Sequence, residues 1–507
     1  MIRIEERYQS FRVVTDDHRV LRAYKYFLKQ YTEKDIVYDF RSKHTITTIK
    51  YVFKAGNELE NEFFIHHNAM NTFIQYLKEA DIGFNEIELI NVKTDRSQVT
   101  LNYKDVHPPK GYQDKYEKAI TKDDGLPAKL VDLQTGKGKT FIAAKAITTI
   151  GMRTILLLLP MYVKKWIVDL KFYFNLEEDE IVTINGRDAL VNFLENDDGR
   201  AKFILLSNRT FLNFINEYET SPSASTFYSP MLPKDICEKL NIGVVLVDEV
   251  HREVYSVYKA MLYLDPILFL GLSATFRGRG FIKRIQDLMF DDKSRLSLLE
   301  FDAYAEVYSI AYNFDQPKRI EKGSSRMRGY NHIEFEKIIL KNKYLKHNYF
   351  KMIKTYIDQF YIKDYRPTDK AIIFCSSTIM CTELTTYLKT CYQKLSITRY
   401  VAEDPQENLY DSDIRVSTIK SAGEAVDIPG LTYGALTVAI GSDVPNEQAL
   451  GRLREIKGRS VVYNYFYSIN LRPHKKYHYA KLKLFNNRVK FVQGLTYDRT
   501  LKSTCKN

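Results

Sequence analysis

Residues 129–140 run Lys129-Leu130-Val131-Asp132-Leu133-Gln134-Thr135-Gly136-Lys137-Gly138-Lys139-Thr140. The first five predict a short strand, and 139–150 predict a helix that stops at Gly151. Strand, glycine loop and helix in that order are the context of a phosphate loop. Gly136 and Gly138 let backbone N–H groups curl around phosphate oxygens, and the helix N-terminus adds partial positive charge. Thr135 and Lys137 belong to the same loop, Lys139 can reach the β- and γ-phosphates, and the Thr140 hydroxyl can bind Mg2+. Leu133 stands where the common pattern has its first glycine. ATP with Mg2+ is the expected cofactor.

Outward from this loop, short apolar runs alternate with helical stretches. Runs at 153–159, 203–206, 244–247 and 267–272 predict central strands of a parallel sheet covered on both faces. The pattern returns at 371–374, 414–418, 435–440 and 461–466, with a long helix expected over 332–360. Two α/β halves joined near 305–320 follow, and 216–235 look like an inserted surface loop. The first hundred residues predict a small α+β unit of order βαββαβ, with strands at 10–14, 45–55, 63–66 and 86–90 and helices at 18–31 and 68–80. The expected division is an accessory domain over 1–105, an ATP-binding lobe over 106–306, a second lobe over 307–470 and a basic extension over 471–507.

Val244-Val245-Leu246-Val247 leads into Asp248-Glu249-Val250-His251. A buried strand ending in two carboxylates places them at the carboxyl edge of a parallel sheet, where ligands bind in such folds. Asp248 can hold the Mg2+ shell and Glu249 can orient and deprotonate the attacking water. This quartet resembles the DExH box of superfamily 2 helicases and translocases, and other motifs of that superfamily follow in order over about 110–465. Gly111-Tyr112-Gln113 is similar to the glutamine motif that reads adenine, and Pro160 to Trp166 to motif Ia. Gly271-Leu272-Ser273-Ala274-Thr275 resembles motif III, 372–376 motif IV, 417–429 motif V and Gln448-Ala449-Leu450-Gly451-Arg452-Leu453-Arg454 motif VI. The resemblance implies tandem RecA-like lobes and an arginine finger at Arg452 or Arg454, because Glu455 occupies the slot of the usual second arginine. It implies coupling roles for Ser273, Thr275, Asp427 and Gln448, and a nucleic-acid track along Lys164, Lys165, Asn208, Arg209, Thr210, Lys420 and Ser421. Arg277 and Arg279 after motif III, and the element order of 1–105, resemble the UvsW-type phage recombination helicases.

Composition excludes other classes. Of the 507 residues 45% are hydrophobic and 27% charged, with 37 Tyr and 29 Phe, so the chain is not dominantly disordered. The longest apolar run is too short to cross a bilayer, and no signal-peptide core opens the chain. Five cysteines without a CxxC pair argue against a zinc or disulfide framework and for a reducing compartment, hence the cytoplasm, or the host cytoplasm for a viral protein. The net charge is +12, yet 1–105 hold sixteen basic and sixteen acidic residues. Residues 471–507 hold ten basic residues and one acid, so the excess sits in the tail. Basic residues interleaved with Tyr477, Tyr479, Phe485 and Phe491 suit a polyanion, or a helix that buries its aromatics while its lysines face water. The expectation is a monomeric DNA helicase or translocase acting on duplex, forked or branched DNA. An RNA helicase, a transcript-release ATPase and a nucleotide-gated clamp are the alternatives.

Overall fold

A computed structural model describes residues 2–39, 44–51, 54–134, 136–221, 231–274, 276–278, 280–297, 303–326, 329–401, 404–405, 407–422, 428–456 and 458–504. Contacts divide the chain into two compact units, one of residues 1–133 and 137–298 and one of residues 299–507, to which residues 134–136 are assigned.

The first unit is built on a seven-stranded, wholly parallel sheet. Its strands in spatial order are Arg295–Ser297, Ala128–Asp132, Leu268–Ser273, Ile242–Asp248, Arg153–Leu158, Phe203–Ser207 and Ile181–Ile184. All seven residues of Ile242–Asp248 are buried, as a strand covered on both faces requires. Of the inserted loop expected over 216–235, residues 222–230 lie outside the described residues, and 233–239 are helical. Residues 216–220 form the last turn of the helix Asn208–Thr220, because Tyr218 fills the core at 0% exposure.

The N-terminal residues form a four-stranded sheet in the order Glu62–His66, Ser10–Val14, Ile2–Glu6, Ile87–Asn91. The helices His18–Lys29 and Met70–Glu79 cover it through Tyr24 and Phe73 packed on Phe63, with Phe27 against Phe73. Two strands escape the sequence pattern. Ile2–Glu6 is only five residues long, and Thr32–Asp39, paired antiparallel with His44–Tyr51, begins with charged residues. This sheet shares one hydrophobic core with the seven-stranded sheet of the first unit. Phe64 packs on Tyr263, and the Ser10 hydroxyl donates to the Leu262 carbonyl at 2.9 Å. The Gln9 N–H donates to Asp265 at 3.0 Å, and Arg7 donates to the carbonyls of Lys234 and Tyr263. The N-terminal sheet is therefore docked on the first parallel sheet's unit.

The second unit holds another seven-stranded parallel sheet, ordered Ile397–Tyr400, Ile414–Thr418, Lys370–Cys375, Leu431–Leu436, Val461–Ser468, Ala305–Tyr312 and Phe491–Thr496. The long helix expected over 332–360 is two, His332–Lys341 and Lys343–Ile357, because Asn342 caps the second by accepting from the Leu345 N–H at 3.0 Å. The basic tail is not an appendage. After the helix Arg472–Phe485 it supplies the edge strand Phe491–Thr496, and Phe485 and Leu501 enter the second core. Cys237, Cys375, Cys381 and Cys391 are free thiols.

Candidate active site

The phosphate loop is held from below by the helix Gly111–Thr121. Gln113 Nε2 and the Tyr112 hydroxyl both donate to the Lys137 carbonyl, at 3.2 and 3.1 Å. Gln113 Oε1 accepts from the Lys110 N–H at 2.8 Å, so both ends of that amide are used. Gly138 is left-handed (φ +77°) as it enters the helix Lys139–Ile150, and a Cβ there would collide with the Gln113 amide. Glycine is thus required at 138 for both backbone conformation and space. Gly136 is also left-handed, and Lys137 lies over the Tyr112 ring at 5.4 Å. Lys139 opens the helix and donates its ammonium to the Leu133 carbonyl at 3.0 Å. Burial lowers its pKa, opposed by Glu249 and Asp248. Thr140, half-buried, is the next residue of that helix. Thr135 lies outside the described residues.

The acid pair stands at the carboxyl end of Ile242–Asp248. Asp248 Oδ1 accepts from the Glu249 N–H and Oδ2 from the Trp166 indole N–H, each at 2.9 Å. Burial, reinforced by Glu249, raises the Asp248 pKa against the pull of Lys165 and Lys139. Glu249 turns the chain at φ +52°, which ends the strand and swings its carboxylate to 3.3 Å from His251 Nδ1. His251 Nδ1 also meets the Ser273 hydroxyl at 2.9 Å. Burial, with Arg252 and Lys139, lowers the His251 pKa to about 3, so the imidazole is neutral at physiological pH. Ser273, fully buried, ends the neighbouring strand Leu268–Ser273. Beyond the ladder that pairs the two strands, the turn after Asp248 is therefore tied to the end of Leu268–Ser273 through the His251–Ser273 hydrogen bond. Thr275 lies outside the described residues.

The residues expected on a nucleic-acid track differ in their surroundings. Lys164 and Arg209 are exposed. Lys165, its side chain 38% exposed, lies 3.8 Å from Asp169 and 4.0 Å from Asp248. Asn208 is buried, and the Thr210 hydroxyl accepts from the Gly186 N–H at 2.8 Å. In the second unit Lys420 is exposed on the turn Ile419–Ala422, and the Ser421 N–H donates to the Thr418 hydroxyl at 3.1 Å. Gln448 is half-buried on the helix Asp443–Leu450, Arg452 is buried, and Arg454 donates to the Leu453 carbonyl at 3.1 Å. Asp427 lies outside the described residues. The sequence did not point to Trp166 as a partner of Asp248. A tryptophan in an amphipathic helix signals core filling, and only its being the one tryptophan of the chain sets it apart.

Residues 107–278, about a third of the chain, match the family model described as Type III restriction enzyme, res subunit. No curated protein matches the chain. Among solved structures, Mss116p bound to ssRNA and AMP-PNP superposes with a TM-score of 0.51 at 13% identity, over 77% of this chain and 75% of that one. Dbp5 of S. cerevisiae bound to RNA and ADP BeF3 gives 0.47 at 13% identity over 78% and 91%, and T4 UvsW gives 0.34 at 12% over 98% and 99%. Each of the two seven-stranded parallel sheets has a RecA-like fold. Among the described residues no helix is long and apolar enough to cross a membrane. The matched span contains the glycine loop and both strand ends that meet here, so residues 107–278 carry a domain similar to that family's.

Proposed function

We propose that the chain is an ATP-driven DNA helicase or translocase that remodels duplex, forked or branched DNA in recombination, repair or replication. The observation that carries the hydrolytic part is the convergence of Lys139, Asp248, Glu249 and His251 at the carboxyl edge of one sheet, with the His251–Ser273 bond leading away from it. DNA is favoured over RNA because the matched family model is named for a restriction-enzyme subunit. The RNA-bound neighbours keep RNA as the alternative substrate.

The donor set fits Mg2+. Among the described residues no group of three or more His, Cys, Asp or Glu forms a metal cluster. One carboxylate and one hydroxyl, with nucleotide phosphates and water completing the shell, is the usual way that this hard cation is held. Asp248 and Thr140 are the proposed contacts. Bound there, the ion neutralises charge on the transferring phosphoryl group. Gln113 reads adenine, and the loop 135–138 with Lys139 holds the phosphates. Glu249 takes the proton of the attacking water, and Arg452 or Arg454 supplies the arginine finger. Ser273, Thr275, Asp427 and Gln448 are proposed to couple hydrolysis to movement along Lys164, Arg209, Lys420 and their neighbours.

The deciding measurement is ATP hydrolysis with single-stranded, duplex, forked and four-way DNA and with RNA. Strongest stimulation by branched or duplex DNA is expected. Stimulation by RNA alone would replace the DNA reading, and hydrolysis indifferent to every nucleic acid would favour a clamp. Lys139→Ala should abolish turnover, and Glu249→Gln should retain ATP without hydrolysing it. Full activity of Lys139→Ala would remove the site assignment, and the same assay on Arg452→Ala and Arg454→Ala identifies the finger.

A further inference from the structure

Asp248 is the proposed Mg2+ contact, and its side chain is 7% exposed. A buried carboxylate without donors would rotate or take up a proton. Here each oxygen accepts one hydrogen bond. The Glu249 N–H serves Oδ1 and the Trp166 indole serves Oδ2. The Lys165 ammonium, at 4.0 Å, is too far to act as a hydrogen-bond donor. It is drawn as much toward Asp169, at 3.8 Å, as toward Asp248. Trp166 is therefore the one side chain, among the described residues, that hydrogen-bonds Asp248.

The indole is 1% exposed on the helix Val163–Tyr173. A buried indole N–H needs an acceptor, and a backbone carbonyl would have served. The partner is instead the carboxylate that the site needs in a fixed orientation. Phenylalanine would fill most of the same volume and leave Oδ2 without a side-chain donor.

We propose that Trp166 is a positioning residue for Asp248, its indole N–H fixing the carboxylate in the orientation that receives Mg2+–nucleotide, so that the chain's single tryptophan reports occupancy of that site. This rests on the reading of the site as a Mg2+–ATPase centre. Loss of such an outer-shell partner costs roughly 10- to 100-fold in metal affinity.

The test has two arms. In the wild-type protein, Mg2+ with ADP should change the indole emission, and ADP in EDTA should not. In Asp248→Asn the Mg2+-dependent change should vanish. In Trp166→Phe the Mg2+ concentration for half-maximal ATP hydrolysis should rise about ten-fold. KM for ATP at saturating Mg2+ should stay within about two-fold. A role in packing alone would leave the Mg2+ dependence where it is. Wild-type emission indifferent to Mg2+–ADP, or Trp166→Phe with wild-type Mg2+ dependence, overturns the proposal. If Trp166→Phe does not fold, the emission comparison between wild type and Asp248→Asn decides alone. A wild-type protein that hydrolyses no ATP would instead defeat the reading of the site itself.

Discussion

Glu62 fastens the N-terminal sheet to the ATP-binding lobe, and replacing it by glutamine measures how strongly. Its side chain is 1% exposed and accepts from Arg12, from the Tyr218 hydroxyl and from the Lys234 ammonium, the last at 2.5 Å. Arg12 belongs to the N-terminal sheet, whereas Tyr218 and Lys234 belong to the lobe. Removing one partner of a buried ion pair costs about 3–5 kcal/mol, because the remaining charge is left uncompensated. Arg12 and Lys234 keep 24% and 13% exposure, so water relieves part of that penalty and about 3 kcal/mol is the expected loss. With an m-value near 3 kcal/mol/M, the urea midpoint should fall by about 1 M. The assay is the emission of Trp166, which lies in this unit and in no other part of the chain. The pH dependence adds a second check. Burial pushes the Glu62 carboxyl up, but Lys234 and Arg12 outweigh it and hold its pKa below the usual range. Stability from a lowered carboxyl pKa is present above the unfolded value, near 4.3, and is lost as pH falls through the folded one. The gap between wild type and Glu62→Gln should therefore be full at pH 7 and close in acid. An unchanged urea midpoint at pH 7 would refute the reasoning.

Two further outcomes concern the helix Arg472–Phe485. Lys481 is buried over the Tyr465 ring at 4.8 Å, and burial lowers its pKa to about 7. The folded state thus favours neutral lysine. The second unit should gain stability as pH rises from about 7 toward 10, on the order of 1.4 kcal/mol per unit at most. Lys481→Met should be more stable at pH 7 and lose that slope, read from hydrogen exchange of residues 461–485. A wild-type slope in the variant would exclude Lys481 as its source. On the exposed side, Lys475, Lys476 and Lys483 are free to meet phosphates. Neutralising all three to glutamine should lower the log–log salt slope of duplex-DNA binding by about 2–3, and an unaltered slope would take these lysines off the track.

Much of the fold was legible because parallel strands covered on both faces leave continuous apolar runs. The runs at 153–159, 203–206 and 244–247 coincide with strands of the first sheet, and 371–374 and 461–466 with strands of the second. What was hidden lacks that signature. Phe491–Thr496 is an edge strand, largely exposed and interrupted by Gly494, so its sequence reads as a charged tail with scattered aromatics. The unity of 1–105 with the ATP lobe was hidden for a different reason. Its contacts join apolar packing, such as Phe64 on Tyr263, to polar side chains on distant backbone carbonyls, such as Arg7 to Tyr263, and no local pattern announces a partner more than two hundred residues away.

The site shows the same limit at finer grain. The strand and helix that flank the glycine loop, and the strand that ends at Asp248, were legible because each is local to one stretch of chain. Lys164 and Lys165 look alike in sequence and were expected to share one task. Successive helix residues, however, point about 100° apart. In the helix Val163–Tyr173 that rotation leaves Lys164 in solvent and carries Lys165 toward Asp169 and Asp248. One more step brings Trp166 into hydrogen-bond contact with Asp248. Adjacent basic residues can therefore be divided between a surface track and the electrostatics of a buried acid. Only the register of the helix against the sheet decides which lysine does which, and that register is fixed by Leu170 and Trp166 packing in the core rather than by the charges themselves.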